Sequence, residues 1–130
     1  MTQVPVISII DDDDSVRLST GRLVRSLGLS TYTFASAKDF LDSPQLTGTS
    51  CLIVDVQMPA MTGLELQDLL RSQGRSVATI FISALPDKSI KAQALEDGAL
   101  CFLSKPFQPA ALIECINVAL SRCDEVQAPD

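Results

Sequence analysis

Polar side chains follow four short apolar runs of this chain, and their types are those that phosphoryl chemistry requires. Asp11 and Asp12 follow the first run, Asp55 ends a later one, and Ser83 and Lys105 end two more. A carboxylate can attack phosphorus when a metal ion and an ammonium group neutralise the incoming charge. The set therefore indicates two cation-binding acids, a phosphoryl-accepting aspartate, a hydroxyl and a lysine.

The acidic run 11–14 could hold a divalent cation, or it could only begin a helix, whose first turn favours acids. We assign Asp13 and Asp14 to the helix start. Asp11 and Asp12 directly follow a predicted strand, which favours a metal site. Mg²⁺ prefers one or two carboxylates together with waters and phosphate oxygens. Without a metal ion these carboxylates repel one another, so raised pKa values are expected among them.

Asp55 alone could be a helix cap or a turn former, and its assignment as a nucleophile depends on its neighbours. Ser83 and Lys105 are ordinary residues when each is taken singly. Beside Asp55, however, Lys105 would pair with the carboxylate at rest, and Ser83 would donate its hydroxyl to a phosphoryl oxygen. A cis bond before Pro106 would turn Lys105 inward, although only a minority of bonds before proline are cis.

Apolar runs alternate with segments of helical period, which predicts an α/β fold. Strands are predicted at Val6–Ile10, Ser30–Phe34, Cys51–Asp55, 79–83 and 100–103, and helices at 15–27, 37–42, 64–72, 87–96 and from Pro109 onward. Right-handed crossovers make the sheet parallel, with helices on both faces. Ligands then bind beyond the carboxyl ends of the strands, where all the polar residues above would meet.

The 130 residues fit one domain, which we place at 1–123, followed by a polar linker or tail at 124–130. The net charge of -6 argues against direct binding to nucleic acid. No apolar stretch approaches the roughly 20 residues needed to span a bilayer, and the N-terminus does not resemble a signal peptide. We therefore expect a cytoplasmic protein without a membrane partner.

Histidine is absent and cysteine lacks metal-site spacing, which excludes several kinds of chemistry. Without histidine the chain cannot form a phosphohistidine or a Ser-His-Asp triad, so a phosphohistidine that donates its phosphoryl group to this chain would have to lie elsewhere. Three of the four cysteines lie within apolar runs and are predicted to be buried thiols, namely Cys51, Cys101 and Cys115.

From about Val6 to Cys123 these residues resemble the receiver domain of bacterial two-component response regulators, most of all the FixJ type. The resemblance is carried by an ordered set of segments: Ile9-Ile10-Asp11-Asp12-Asp13-Asp14, Leu52-Ile53-Val54-Asp55-Val56-Gln57-Met58-Pro59, Phe81-Ile82-Ser83-Ala84 and Phe102-Leu103-Ser104-Lys105-Pro106-Phe107. It implies a five-stranded (βα)5 fold with strand order 2-1-3-4-5.

The resemblance also implies a role for each site residue. Asp55 would accept a phosphoryl group from a sensor histidine kinase, and Lys105 would sense its charge. Mg²⁺ would be held by Asp11, Asp12, Asp55 and the backbone carbonyl of Gln57. Ser83 and Phe102 would form the switch pair, although threonine and tyrosine are commoner at these two positions.

Such a protein is a phosphorylation-activated switch rather than an enzyme, and it assists its own phosphorylation and slow autodephosphorylation. The face made by the fourth helix, fifth strand and fifth helix would change and could form a phosphorylation-dependent homodimer. FixJ-type proteins usually carry a C-terminal helix-turn-helix region, so DNA would be contacted only through an output domain beyond this chain.

Two other functions stay open. A phosphatase of the haloacid dehalogenase type would also form an aspartyl phosphate, but that class carries Asp-x-Asp, and here Gln57 stands two residues after Asp55. A nucleotide-binding or unphosphorylated interaction module could use the same fold. The chain has neither Gly-x-Gly-x-x-Gly nor a P-loop lysine motif.

Overall fold

Five parallel strands form one sheet in the order β2-β1-β3-β4-β5. The structure is a computed structural model that describes residues 4–75, 77–84 and 87–127. The strands are β1 (Val6–Ile10), β2 (Ser30–Phe34), β3 (Cys51–Asp55), β4 (Ala78–Ser83) and β5 (Cys101–Ser104). The helices are α1 (Asp14–Ser26), α2 (Ala37–Leu41), α3 (Gly63–Ser72), α4 (Lys88–Glu96) and α5 (Pro109–Gln127), with a short 3-10 helix at Pro44–Leu46.

Two apolar clusters cover the two faces of the sheet. One cluster takes Phe40 from α2, Leu66 from α3 and Ala94 from α4, while the other takes Val24 from α1 and Ile116 from α5. All five residues of the central strand β3 are buried. The predicted fold class is therefore confirmed, and the apolar β3 sequence follows from being covered on both faces.

Helix starts follow their capping residues. Asp13 is the N-cap of α1, and its side chain accepts a hydrogen bond from Val16 N at 3.1 Å. Asp87 caps α4 in the same way. The assignment of Asp13 to the helix start is confirmed, and α1 begins one residue earlier than predicted because this cap satisfies a free backbone N–H group.

The last helix is longer than predicted. It runs to Gln127, past the predicted domain end at residue 123, because residues 124–127 contain neither glycine nor proline. Residues 128–130 and the side chain of Cys123 lie outside the described part of the chain. The assignment of 124–130 as a linker stays a prediction.

The thiols behave as packing groups. Cys51 and Cys115 are buried, Cys101 is half-buried, and all three are free. Burial, reinforced by the neighbouring Cys101, raises the pKa of the Cys115 thiol to about 12. This thiol stays protonated at neutral pH, which makes it a poor nucleophile. Within the described ranges, no helix has the length and apolar character that crossing a membrane would need.

Candidate functional site

Three acidic side chains meet at the carboxyl edge of the sheet. Asp11 directly follows β1 and is 2% exposed, while Asp55 ends β3 and is 4% exposed. The pairing of Ile10 with Val54 places these two residues side by side. One carboxylate oxygen from each of Asp11, Asp12 and Asp55 lies within 4.8 Å of the others. The parallel sheet thus brings together the acids that the sequence predicted would meet.

Lys105 binds two of these acids. Its Nζ donates to Asp55 Oδ2 at 3.3 Å and lies 3.1 Å from Asp11 Oδ2. The pair with Asp55 was predicted, and the pair with Asp11 was not. Lys105 follows β5, its backbone N–H donates to the Ser83 carbonyl at 2.8 Å, and its bond to Pro106 is cis.

Burial and charge set the protonation of this cluster. Burial raises the pKa of Asp55, the negative charge of Asp11 raises it further, and Lys105 opposes both effects. Burial alone would lower the pKa of Lys105, but its contacts with Asp11 and Asp55 outweigh burial and raise it. The predicted raised pKa is therefore confirmed for Asp55, with burial rather than repulsion as its largest cause.

Asp11 is held in place from three sides. Its Oδ1 accepts from Asp13 N at 2.9 Å, its carbonyl accepts from Arg17 Nη1 at 2.7 Å, and its N–H donates to Phe34 O at 3.1 Å. Asp12 by contrast is exposed. The site therefore has two fixed buried carboxylates and one acid that faces solvent. A phosphoryl donor can approach from the solvent side. Sequence reasoning missed Arg17, since its spacing from Asp11 carries no motif.

Ser83 is joined to Asp55 through Gln57. The buried Ser83 hydroxyl donates to Gln57 Oε1 at 3.0 Å, and Gln57 N donates to Asp55 Oδ1 at 3.3 Å. The sequence assigned a metal-binding role to the backbone carbonyl of Gln57, and that role stays a prediction. The Gln57 side chain also has a role, since its Oε1 accepts the hydrogen bond that the Ser83 hydroxyl donates in this state.

Phe102 lies on the edge strand β5, which β4 separates from Asp55 at the end of β3. Its ring centroid is 6.3 Å from that of the buried Phe81, at an interplanar angle of 45°. The two phenylalanines are paired across β4 and β5, two residues before Ser83 and Ser104. The half-buried ring thus has a packed neighbour on one side and solvent on another. Its part in a switch with Ser83 stays a prediction.

A close backbone approach holds the loop after Asp55. Gly63 N donates to Val56 O at 3.1 Å, and a Cβ at position 63 would lie 2.6 Å from the Asp55 carbonyl oxygen. Thr62 and Glu65 form a capping box at the start of α3. Glycine at position 63 is therefore required by space, because the helix start rests directly on the backbone of Asp55.

Replacing Gly63 with alanine is expected to destabilise the fold by roughly 1–3 kcal/mol, because the new methyl group must displace the Asp55 backbone. Urea denaturation would measure the loss. Gly48→Ala is the matched control, since a Cβ there meets nothing within 4 Å. Equal stability of the two variants would contradict the close approach.

This arrangement suits a hard divalent cation and an incoming anion. Three carboxylates supply oxygen ligands of the kind that Mg²⁺ binds, and this ion completes its coordination with waters and phosphate oxygens. Lys105 supplies a positive charge 3.3 Å from Asp55 Oδ2. A carboxylate in this setting can accept a phosphoryl group.

Comparisons with known proteins identify similar molecules. The family model "Response regulator receiver domain" matches residues 7–117. Response regulator protein TodT of Pseudomonas putida is 42% identical over 115 residues, which cover 88% of this chain and 51% of TodT. Transcriptional regulatory protein FixJ of Azorhizobium caulinodans is 38% identical over 119 residues, covering 92% of this chain and 56% of FixJ.

A solved structure agrees with these sequence matches. The low-resolution structure of response regulator StyR superposes with a TM-score of 0.88 at 35% identity, covering 97% of this chain and 64% of StyR. The chain spans about half the length of the two curated relatives. The similarity therefore concerns one domain of those longer proteins.

Proposed function

Because this chain belongs to the response regulator receiver domain family of two-component systems, we propose that Asp55 accepts a phosphoryl group from the histidine of a sensor kinase. The observation that carries the proposal is the meeting of three carboxylates within 4.8 Å, with Lys105 bound to two of them. Response regulators act with histidine kinases, and the resemblance of the segment around Asp55 to receiver domains selects this acid as the acceptor.

Receiver domains typically use Mg²⁺, and the donor set fits this ion. We assign Asp11, Asp12, Asp55 and the backbone carbonyl of Gln57 as the residues that would hold it. When bound, the cation would neutralise charge on the phosphoryl oxygens during transfer. The exposed Asp12 leaves an entry path for the ion from solvent.

In the transfer step, Asp55 Oδ forms a bond to phosphorus while the bond from phosphorus to the kinase histidine nitrogen breaks. The leaving nitrogen keeps the electron pair. Lys105 would neutralise charge on the phosphoryl oxygens, because its ammonium already lies 3.3 Å from Asp55 Oδ2. Asp55 must be ionised to attack, and the neighbouring ammonium favours that form.

The phosphoryl group would then bias the fold between two states. It adds a local charge of about −1.5 to −2. The Ser83 hydroxyl would leave Gln57 and donate to a phosphoryl oxygen, and the Phe102 ring would turn into the space behind it. The face formed by α4, β5 and α5 would change as a result and support a homodimer.

The relatives are named as transcriptional regulators or response regulators and are about twice as long as this chain. We therefore propose that residues 1–123 form a receiver unit, that 124–130 lead toward an output region, and that DNA is bound only there. The net charge of -6 on this chain agrees with an output elsewhere. We also propose a cytoplasmic location, because an output region that binds DNA must lie in the compartment that holds the DNA.

Receiver domains are signalling proteins rather than classical enzymes, and we propose the same for this chain. The chain would assist its own phosphorylation and lose the group slowly, since the same acids and Mg²⁺ also stabilise attack by water. Many turnovers on small phosphate esters are not expected.

Incubation with acetyl phosphate and Mg²⁺ is expected to add one phosphoryl group that acid and base both remove. Intact-mass measurement would detect it, and EDTA should suppress it because the carboxylates then lack their counter-ion. Rapid hydrolysis of several phosphate esters would favour a phosphatase instead. If the protein stays unmodified and its melting temperature does not change with Mg²⁺, the result would favour an interaction module.

A further inference from the structure

Arg17 stands where a helix disfavours a cation. It lies in the first turn of α1, and the amino end of a helix carries a partial positive charge. Its side chain is nevertheless only 21% exposed, because the guanidinium reaches back to the loop between β1 and α1. The contacts with that loop therefore outweigh the repulsion from the helix dipole.

The Arg17 guanidinium makes two contacts of different kinds. Nη2 pairs with the carboxylate of Asp14, which is largely exposed, and exposed ion pairs contribute little. Nη1 donates at 2.7 Å to the carbonyl oxygen of Asp11, a buried residue. An ionised donor strengthens a hydrogen bond, and shielding from water strengthens it further. Arg17 can therefore act on the acidic site mainly through the Asp11 carbonyl.

This carbonyl belongs to the peptide unit that leads to Asp12. A trans peptide is a rigid plane, so the positions of the Asp11 Cα and carbonyl oxygen determine where the Asp12 Cα lies. Asp11 itself is anchored by its N–H group, which donates to Phe34 O at 3.1 Å, and by its Oδ1, which accepts from Asp13 N at 2.9 Å. Arg17 adds the contact at the oxygen, and so fixes the orientation of the plane.

Asp12 is the acid whose placement most needs such support. It is exposed, whereas Asp11 and Asp55 are buried, yet one of its carboxylate oxygens lies within 4.8 Å of theirs. An exposed side chain gains little from packing to offset the entropy that it loses when it is ordered. Its availability as a ligand therefore depends on how the backbone presents it.

We propose that Arg17 is a positioning residue of the cation site, which fixes the peptide between Asp11 and Asp12 and so presents the Asp12 carboxylate to Mg²⁺. The inference rests on the Mg²⁺ site proposed above. Arg17 does not bind the ion, and it acts through the Asp11 carbonyl oxygen. Removal of a partner that orients a metal ligand typically weakens metal binding by roughly 10–100-fold.

The positive charge of Arg17 has the opposite effect on Mg²⁺. A guanidinium close to the site repels the cation, so its removal would tighten Mg²⁺ binding if charge were its only influence. Loss of positioning would instead weaken Mg²⁺ binding. The sign of the change in affinity therefore separates positioning from charge, which a measurement of stability alone could not do.

Mg²⁺ titrations of the full ¹⁵N-labelled chain, followed through the amides of Asp12 and Val56, measure this sign. An ionic strength of roughly 0.15 M gives a Debye length of about 8 Å and suppresses the effects of distant charges. We expect Arg17→Met to raise the dissociation constant about tenfold. Arg17→Lys keeps the charge and a single donor, so its dissociation constant should lie between those of Arg17→Met and the native chain.

Asp14→Asn is the matched control. It removes the exposed pair with Arg17 and leaves the hydrogen bond to Asp11, so it should change the dissociation constant by about twofold at most. A larger loss of affinity in this variant than in Arg17→Met would overturn the inference, because the pair with Asp14 would then be the contact that matters.

The order of the affinities gives the decisive outcomes. Tighter or unchanged Mg²⁺ binding by Arg17→Met would overturn the inference, and so would Arg17→Lys binding no more tightly than Arg17→Met. If the spectrum of Arg17→Met shows an unfolded chain, Arg17→Lys is compared with the native chain, and equal affinity overturns the inference while weaker binding supports it. A native chain whose amides do not respond to Mg²⁺ would overturn the cation site itself, and the inference with it.

Discussion

Asparagine in place of Asp55 is expected to abolish phosphoryl incorporation and, at the same time, to stabilise the protein at neutral pH without metal. Incorporation is lost because an amide is not a nucleophile toward phosphorus, so the labelling should fall by at least about 100-fold. Stability rises because burial and Asp11 raise the pKa of Asp55, which makes its ionised form unfavourable in the fold. Lys105 keeps Asp11 as a partner at 3.1 Å in the variant.

The sign of the pH dependence follows from the raised pKa. Between the ordinary aspartate pKa of 3.8 and the higher pKa of Asp55 in the folded protein, the folded state binds more protons than the unfolded state. Stability of the native sequence therefore falls as pH rises through that window and stays lower above it. The gain from Asp55→Asn should be present at pH 7 and should disappear as the pH approaches 3.8.

Urea denaturation across this pH range, beside intact-mass labelling, measures both effects. Asp39→Asn, an exposed acid in α2, is the matched control and should change neither. Labelling of the Asp55 variant at the native rate would show that another residue accepts the group. A loss of labelling together with a loss of stability would instead indicate misfolding.

Methionine in place of Lys105 is expected to destabilise the metal-free protein by about 3 kcal/mol, since it leaves two buried carboxylates without their cation. Asp11 and Asp55 are 2% and 4% exposed, so water cannot replace the ammonium well. Mg²⁺ should restore much of the loss, because it supplies positive charge to the same carboxylates.

The same variant should bind Mg²⁺ and beryllofluoride but transmit little change to α4, β5 and α5. The reason is that the proposed link from the phosphoryl group to β5 runs through Lys105, which directly follows that strand. NMR amide shifts upon addition of beryllofluoride would measure the transmission. Lys38→Met is the matched control, because it removes an exposed pair with Asp42. Switching like the native protein in the Lys105 variant would exclude its role as charge sensor.

The positions of the acids could be predicted from the sequence because they depend only on topology. A parallel sheet brings the residues that end its strands to one edge, so the meeting of Asp11, Asp55 and Lys105 needed only the order of apolar runs. The cap at Asp13 followed from local rules in the same way.

Contacts that depend on the path of a side chain could not be predicted. Gln57 Oε1 accepts from Ser83, and Arg17 reaches the Asp11 carbonyl, because of rotamers that no spacing rule specifies. The requirement for glycine at position 63 depends on a 2.6 Å approach between a helix start and a strand end. Local sequence near Gly63 indicates only a turn.

Helix ends were uncertain for a different reason. Residues 124–127 are polar, which is typical of both a linker and the exposed end of a helix. The structure continues α5 through Gln127 because the backbone hydrogen bonds of a helix do not require buried side chains in its last turn. Composition alone therefore does not show where α5 ends.

The most direct test is a crystal structure of this chain with Mg²⁺ and beryllofluoride, which stands in for the phosphoryl group. We expect a tetrahedral group bonded to the Asp55 carboxylate, with Lys105 and Ser83 on its fluorine atoms. We also expect a cation at about 2.0–2.1 Å from its oxygen ligands, among them Asp11, Asp55 and the Gln57 carbonyl. A structure with both reagents present and no density beside Asp55 would show that Asp55 is not the phosphoryl acceptor.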